Sequence, residues 1–337
     1  MPVLPRRLER GDFVGVVSPS SPVAAGTPRR FERGVAELER RGFRVRVGSH
    51  ARSKTGWTAG SPEDRAADLN AMFADPEVRA IVCTIGGYNA NQLLELLDYD
   101  LIAANPKVFV GYSDITALHG AIHACTGLAT MLGPALLPQF GEFGGVDEYT
   151  WDAFERVTMR AEPAGVFRRP ELWYPEVLRW DEQDDRARTP EPAAPWRTVR
   201  AGRADGHIVA GNVNTLLLLN GTPWSPSLDG ALLCLEDDDE YGKPWMVERQ
   251  LFQLRQLGAF ERAAGLAYGR IHPESKFESE AWIDEILLRA TAGTDVPVAA
   301  GLDFSHTSPL LTLPWGVRAR LDASDEVTLE LLEASVL

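Results

Sequence analysis

Between residues 13 and 126 the sequence alternates short apolar runs with amphipathic stretches of helical period. VRAIVC and KVFVG have no polar face, as expected of parallel strands that are buried on both sides. The segments 28–42, 61–75 and 89–98 carry helical spacing or a Ser-Pro helix start, and each is predicted to be a helix. Alternation of this kind predicts a parallel sheet covered by helices across roughly residues 1 to 160.

The second half of the chain again alternates strand and helix patterns, after a segment that has no such alternation. A chain of 337 residues is long enough for two domains, each with its own core. Residues 163–205 are rich in Pro, Trp and charge and have no sustained period, which predicts a long surface excursion. Strand and helix patterns then resume and end in a predicted hairpin with its turn at DASD. We therefore divide the chain into an N-terminal α/β domain (1–165), a linker (166–205), to which the resemblance described below adds the role of an active-site loop, and a C-terminal α/β domain (206–337).

Charge and composition exclude several classes of partner. With 48 acidic and 34 basic residues, the net charge of −14 would repel nucleic acid and anionic membranes. A small anionic substrate stays open, because the potential of a local pocket need not follow the net charge. No segment approaches the length of a membrane span, and the N-terminus has no apolar core of secretory length. Cys83, Cys125 and Cys234 lie far apart, as free thiols of a reducing compartment would. We predict a cytoplasmic protein.

A serine occupies the junction between the strand KVFVG and the helix that follows. Ser113 would project from the carboxyl edge of the sheet, where the amides of the first helical turn, beginning with Asp114, point toward it. This setting suits a nucleophile whose oxyanion needs stabilisation, although a helix N-cap is the alternative. The segment departs from the G-x-S-x-G elbow because Ile115 stands in place of the second glycine.

Two further candidates follow predicted strands in the second half. Glu236 directly follows the apolar run LLCL and opens the acidic run 236–240, which a solvated loop would also explain. His306 ends an apolar segment and enters a loop of Ser, Thr and Pro. Because open α/β sheets place their sites at the carboxyl ends of strands, the order Ser, acid, His predicts a catalytic triad. The spacing of a calcium loop is absent, so we predict no metal and no cofactor.

A diglycine adds one more part to this edge. Gly86 and Gly87 end a buried strand, so their backbone can approach a ligand closely. An N–H there can join the Asp114 amide in an oxyanion hole, while a plain tight turn is the other reading.

The sequence resembles the LD-carboxypeptidase superfamily of serine peptidases, which also contains the microcin C self-immunity proteins. The segments that carry the resemblance lie at 85–102, 105–134, 206–223, 232–240 and 301–316. It implies a triad of Ser113, His306 and Glu236, with backbone amides near Gly87 and Asp114 as the oxyanion hole. It also implies an N-terminal parallel-sheet domain resembling class I glutamine amidotransferases, a swivelling-type C-terminal domain, and a homodimer.

Two branches of that superfamily share this triad and oxyanion hole. One cleaves the amide that links a peptidyl or aminoacyl group to a modified nucleotide, and the other removes D-alanine from a peptidoglycan tetrapeptide. Trp173 and Trp180 resemble the loop from which immunity proteins stack an aromatic ring on the nucleobase, and Trp173 is the predicted stacking residue. We favour the nucleotide branch, with Gly86 also at the substrate. The alternatives are the murein LD-carboxypeptidase, a non-catalytic module that only binds such a ligand, and a metal-dependent hydrolase built on the acidic run 236–240.

Overall fold

The computed structural model describes residues 2–337. Its strands are Phe13–Val17 (β1), Arg44–Val47 (β2), Val78–Cys83 (β3), Val108–Gly111 (β4), Met131–Leu132 (β5), Gly165–Phe167 (β6), Leu172–Trp173 (β7), Glu191–Pro192 (β8), Arg197–Arg200 (β9), Arg203–Asn212 (β10), Ala231–Glu236 (β11), Gly265–Gly269 (β12), Val298–Leu302 (β13), Leu313–Pro314 (β14), Arg318–Asp322 (β15) and Thr328–Leu331 (β16). Its α-helices are Val23–Gly26 (α1), Pro28–Arg40 (α2), Pro62–Ala74 (α3), Tyr99–Ala104 (α4), Thr116–Thr126 (α5), Glu148–Thr158 (α6), Val213–Leu217 (α7), Pro244–Gln256 (α8), Ala259–Arg262 (α9) and Glu280–Ala290 (α10).

The first sheet has the strand order β14-β5-β4-β3-β1-β2. All its pairings are parallel except that of β14, which confirms the predicted parallel sheet. β3 and β4 are buried along almost their whole length, as their uninterrupted apolar sequence predicts. Helix α3 begins where the Ser-Pro signal predicts: the Ser61 hydroxyl accepts from the Asp64 amide, and the Asp64 carboxylate accepts from the Ser61 amide.

The second sheet has the order β6-β16-β15-β10-β11-β12-β13-β9. Its central strands β10 to β13 are parallel, and antiparallel strands flank them on both sides. β15 and β16 form the antiparallel hairpin that the turn at DASD predicts. No helix within residues 2–337 is both long enough and apolar enough to cross a membrane.

The chain passes between the two sheets more than once. β14, far along the sequence, pairs with β5 of the first sheet, while β6 pairs with β16 of the second. The excursion 166–205 contributes the two-stranded sheet β7-β8 and the edge strand β9. The division at residues 165 and 205 stays a prediction about folding units.

The structure differs from the sequence-based expectation at residues 89–98. A helix was predicted there, and the structure has a 3₁₀ turn at Ala90–Leu93 instead. The Ala90 amide donates to the Asp114 carboxylate at 2.7 Å, and the Asn89 amide donates to the Ser20 hydroxyl at 3.2 Å. Side chains from other segments thus hold the start of this turn, and this tertiary requirement overrides the local helical pattern.

Candidate active site

Ser113 lies at a sharp turn between β4 and α5. Its φ is +67°, and it is the only non-glycine residue within residues 2–337 whose φ is positive. An L-residue in this conformation costs about 1–2 kcal/mol, because its Cβ crowds the following carbonyl. Strain of this kind is typical of a nucleophile that is held on an exposed elbow.

Glycine is required beside this elbow although Ile115 interrupts the expected motif. A Cβ on Gly86 would lie 2.6 Å from the Ser113 Cβ, and one on Gly111 would lie 3.1 Å from the Ile115 side chain. The chain keeps the first glycine of the G-x-S-x-G motif, Gly111, and the close approach to Ser113 also requires Gly86 from another segment.

The side chains of Glu236 and His306, the predicted acid and base, are hydrogen-bonded to each other. Glu236 is the last residue of β11 and is fully buried, and His306 lies in the loop after β13. The His306 Nδ1–H donates to Glu236 Oε2 at 2.6 Å. This bond leaves Nε2 as the ring nitrogen that can accept a proton, as in a catalytic triad.

The charge of Glu236 governs the protonation of His306. Burial is the largest single influence and disfavours the imidazolium, but it is outweighed by the charge and hydrogen bond of Glu236 together with the charges of Asp238 and Asp239. Together they raise the pKa of His306 from its usual value of 6.5 to about 9. A carboxylate that stabilises the imidazolium in this way also stabilises the cation that forms when a histidine takes a proton from serine.

Ser113 and His306 line one cavity of about 380 Å³. Among residues 2–337 the Ser113 hydroxyl makes no hydrogen bond to the His306 ring, and such bonds often form only when substrate is bound. The Tyr112 ring packs beside the imidazole with the centroids 5.0 Å apart. The walls come from residues 21, 23, 85–88, 112–113, 138–139, 142, 174–178, 180, 188, 238–239, 272–273 and 306–308.

A close contact between the two sheets brings the turn at Ser113 near the strand end at Glu236. Asn212, the last residue of β10, pairs in register with Glu236, and its amide donates to the Thr116 hydroxyl at 3.0 Å. A Cβ on Gly211 would lie 2.4 Å from the Thr116 side chain. Thr116 is three residues after Ser113, so this contact holds the nucleophile turn against the strand that carries the acid.

The predicted oxyanion donors lie near the nucleophile. Gly86 and Gly87 line the cavity, and a Cβ on Gly86 would lie 3.0 Å from the Asp114 amide nitrogen. The Gly87 amide donates to no backbone or side-chain acceptor within the described part of the chain. The Asp114 amide belongs to the first turn of a helical segment, where amides have no acceptor within the helix.

The two tryptophans of the excursion occupy different places. Trp173 does not line the cavity; the Arg270 guanidinium lies 5.2 Å from its ring centroid, and Arg270 is in turn held by Asp303 at 2.7 Å. Trp180 does line the cavity, and the buried Arg30 guanidinium lies 4.1 Å from its ring centroid. The structure therefore places Trp180, and not Trp173, in the wall of the cavity that contains Ser113 and His306.

The acidic run splits between the core and the cavity. Asp237 is buried, accepts from the Tyr268 hydroxyl at 2.5 Å, and has its pKa raised well above the usual range by burial. Asp238 and Asp239 line the cavity, and Glu240 accepts from the Tyr88 hydroxyl beside it. No group of three or more His, Cys, Asp or Glu side chains within residues 2–337 is arranged to hold a metal ion.

His272 is a cavity residue that the sequence analysis missed. Its Nδ1 accepts from the Glu274 amide at 3.2 Å, so Nε2 carries the proton of the neutral ring. Burial is the main cause that lowers its pKa to about 4. His272 follows β12, and the rule that sites lie beyond the carboxyl ends of parallel strands would have singled it out.

Comparison with known protein families and curated proteins identifies relatives of this chain. Residues 14–133 match the LD-carboxypeptidase N-terminal domain and residues 205–321 match the LD-carboxypeptidase C-terminal domain. The chain is 35% identical to the microcin C7 self-immunity protein MccF of Escherichia coli, over 95% of this chain and 93% of that protein. It is 32% identical to a probable murein peptide carboxypeptidase of Bacillus subtilis, over 98% and 95% of the two chains.

Solved structures extend the likeness to the whole fold. The structure of MccF without ligand superposes with a TM-score of 0.93 at 33% identity, covering 100% of both chains. Other structures of MccF hold aspartyl sulfamoyl adenosine or glutamyl sulfamoyl guanosine. The chain has the mixed α/β, two-domain fold of these relatives, and it belongs to the LD-carboxypeptidase family of serine-type hydrolases.

Proposed function

We propose that this hydrolase cleaves the amide bond of an aminoacyl or peptidyl nucleotide, with Ser113 as nucleophile, His306 as base and Glu236 as the acid that orients it. The observation that carries the catalytic part is that His306, hydrogen-bonded to the buried Glu236, lines the same cavity as the strained Ser113. A strained serine, a charge-stabilised imidazole and free backbone amides are the parts that acyl transfer needs.

In the proposed mechanism the His306 Nε2 takes the proton of Ser113 while Oγ attacks the amide carbonyl. The amides of Gly87 and Asp114 stabilise the oxyanion of the tetrahedral intermediate. When the intermediate collapses, the bond from carbon to nitrogen breaks and the leaving nitrogen receives the proton from His306. Water, deprotonated by the same imidazole, then attacks the acyl-enzyme, and the acid is released with Ser113 restored.

Trp180 supports a nucleotide as the leaving group. Its indole lines the cavity, and Arg30 is fixed behind it by Asp184 at 2.6 Å and by the Leu137 carbonyl at 2.7 Å. An aromatic ring held in this way offers a flat surface on which a base can stack, worth about 1–3 kcal/mol per base. The sulfamoyl nucleosides bound to MccF are ligands of the same chemical class.

The test compares two substrates. Purified protein is incubated with aspartyl sulfamoyl adenosine and with a murein tetrapeptide, and products are followed by mass spectrometry. We expect release of aspartate and sulfamoyl adenosine, loss of this reaction in Ser113→Ala, and labelling of Ser113 by a fluorophosphonate. Cleavage of the tetrapeptide alone would instead identify a murein LD-carboxypeptidase, the activity printed in the name of the Bacillus subtilis relative.

Trp180→Ala tests the stacking, with Trp173→Ala as a matched control from the same excursion. The first should raise the KM for the nucleotide by about 10- to 100-fold, equivalent to the stacking energy of one base, and spare a small ester. The control should leave that KM unchanged, because Trp173 lies outside the cavity. Equal effects of the two substitutions would contradict the stacking role.

Self-protection against toxic aminoacyl nucleotides is the biological role we propose, in a cytoplasmic homodimer. Expression of the protein, but not of its Ser113→Ala variant, should raise the concentration of an aminoacyl sulfamoyl adenosine that stops bacterial growth. Light scattering of the purified protein would test the dimer, which a single monomeric species would contradict.

A further inference from the structure

The side chain of Asp114 takes no part in the proposed chemistry, yet it is almost fully buried beside the nucleophile. Its Oδ2 accepts from the Ser20 hydroxyl at 2.5 Å and from the Ala90 amide at 2.7 Å. Ser20 belongs to the loop after β1 and Ala90 to the turn after β3. One carboxylate oxygen therefore joins the nucleophile turn to two other loops at the same edge of the sheet.

These bonds surround the segment that carries Gly87. The Ser20 hydroxyl accepts from the Asn89 amide at 3.2 Å, and the Ser21 amide donates to the Gly86 carbonyl at 3.2 Å. A Cβ on Gly87, whose φ is +151°, would lie 2.5 Å from the Ser20 hydroxyl. The loop after β1 thus contacts the Gly87 backbone directly, and the position of the Gly87 amide depends on where Asp114 holds that loop.

Arg65 holds the same two loops from the other side. This buried guanidinium donates to the Pro19 carbonyl at 2.7 Å and to the Asn89 carbonyl at 3.1 Å. The carboxylate of Asp114 binds donors of the two loops, and Arg65 binds their acceptors. Charge-assisted bonds of this kind are roughly twice as strong as neutral ones, which suits groups that must not move during a reaction.

We propose that the Asp114 carboxylate is a positioning group that fixes the Gly87 amide relative to the Ser113 hydroxyl and so preorganises the oxyanion hole. This inference rests on the proposed function, since it assigns Asp114 a second role through its side chain beside that of its backbone amide. An oxyanion hole acts only if its donors already stand where the negative charge develops, so its geometry must be held by groups outside the reaction.

The variants Asp114→Ala and Asp114→Asn test this role on whichever of the two substrates above the parent cleaves. Asp114→Ala should lower kcat by about 100-fold, the loss that follows removal of one oxyanion donor, with KM changed by less than about threefold. The inhibition constant of a phosphonate analogue of the tetrahedral intermediate should rise by the same factor. Asp114→Asn keeps an oxygen acceptor for Ser20 and Ala90 and should recover most of kcat.

Asp98→Ala is the matched control. Asp98 is exposed, and its carboxylate also accepts from a backbone amide, that of Leu101 at 2.9 Å, but at the start of α4 away from the cavity. The Asp98→Ala substitution should leave kcat and the affinity for the phosphonate analogue unchanged. An unchanged kcat in Asp114→Ala, or a fall in kcat without weaker binding of the analogue, would overturn the proposal.

Two further measurements keep the result interpretable. If Asp114→Ala fails to fold, Ser20→Ala removes the hydroxyl that links Asp114 to Asn89. This variant should lower kcat while KM changes little. An unchanged kcat in Ser20→Ala would overturn the proposal. Fluorophosphonate labelling of the parent separates the two hypotheses. If Ser113 is not labelled, the proposed function and this inference are both refuted. If the parent is labelled but Asp114→Ala leaves kcat unchanged, this inference alone is refuted.

Discussion

Replacing Glu236 by Gln tests the pair on which the proposed chemistry depends. The Glu236 carboxylate lies 2.6 Å from the His306 Nδ1 and has no exposure to solvent. Two opposite charges about 4 Å apart attract by about 4 kcal/mol at the dielectric that suits most protein sites. Burial opposes this attraction, and the net result is the pKa of about 9 for His306. A rise from 6.5 to about 9 corresponds to about 3 kcal/mol in favour of the imidazolium.

The sign of the expected pH effect follows from the role of the imidazole. A general base must be neutral, so kcat/KM of the parent should rise with pH and level off above about 9. In Glu236→Gln the main attraction is lost while burial persists, so the pKa of His306 should fall to near or below its ordinary value. The rising limb then moves to lower pH. The plateau should still fall by about 100- to 10,000-fold, because an amide does not stabilise the imidazolium that forms during the reaction.

The assay is kcat/KM from about pH 5.5 to about pH 10.5, a range that brackets the expected pKa values. The His306 resonance is titrated by NMR in the Ser113→Ala background. Glu240→Gln is the control. It removes a carboxylate of the same loop, but that carboxylate contacts Tyr88 and not His306. Two results would refute the reasoning. One is a kcat/KM profile of Glu236→Gln that still levels off only near pH 9, and the other is a kcat/KM profile of the parent that already levels off at the usual histidine pKa.

Three other expectations concern the geometry and charge of the site. Ser113→Gly and Ser113→Ala should both be inactive, but the glycine variant should be more stable by about 1 kcal/mol in thermal unfolding, because only alanine keeps a Cβ at a φ of +67°. Gly86→Ala should lower kcat by about 100-fold through displacement of Ser113, whereas Gly26→Ala, which has free space around it, should not. Asp239→Asn should lower the pKa of His306 slightly at low salt, and the effect should vanish at high salt, as expected of an exposed charge. A salt-independent shift would contradict that last assignment.

Much of the fold could be predicted because the signals are local. Buried strands such as β3 and β4 are visible as apolar runs, and the start of α3 is visible in its capping residues. The prediction of a helix over 89–98 was wrong, because the bonds from Ser20 and Asp114 to that segment come from distant parts of the chain. Ser113, Glu236 and His306 could be singled out because each follows a predicted strand, and the parallel sheet rule places strand ends together. Their roles as a triad stay a prediction.

The sequence by itself determined the alternation of strands and helices, the identity of the residues at the strand ends, and the resemblance to a family. Only the tertiary structure decided the rest of the site. It placed Trp180 and not Trp173 at the cavity, drew Asp237 into the core while Asp238 and Asp239 stayed at the cavity, and added His272. It also set φ of Ser113 against the preference of its residue type. The physical reason is that strand and helix patterns depend on neighbours along the chain, whereas side-chain placement and strain depend on contacts between segments that the chain brings together only on folding.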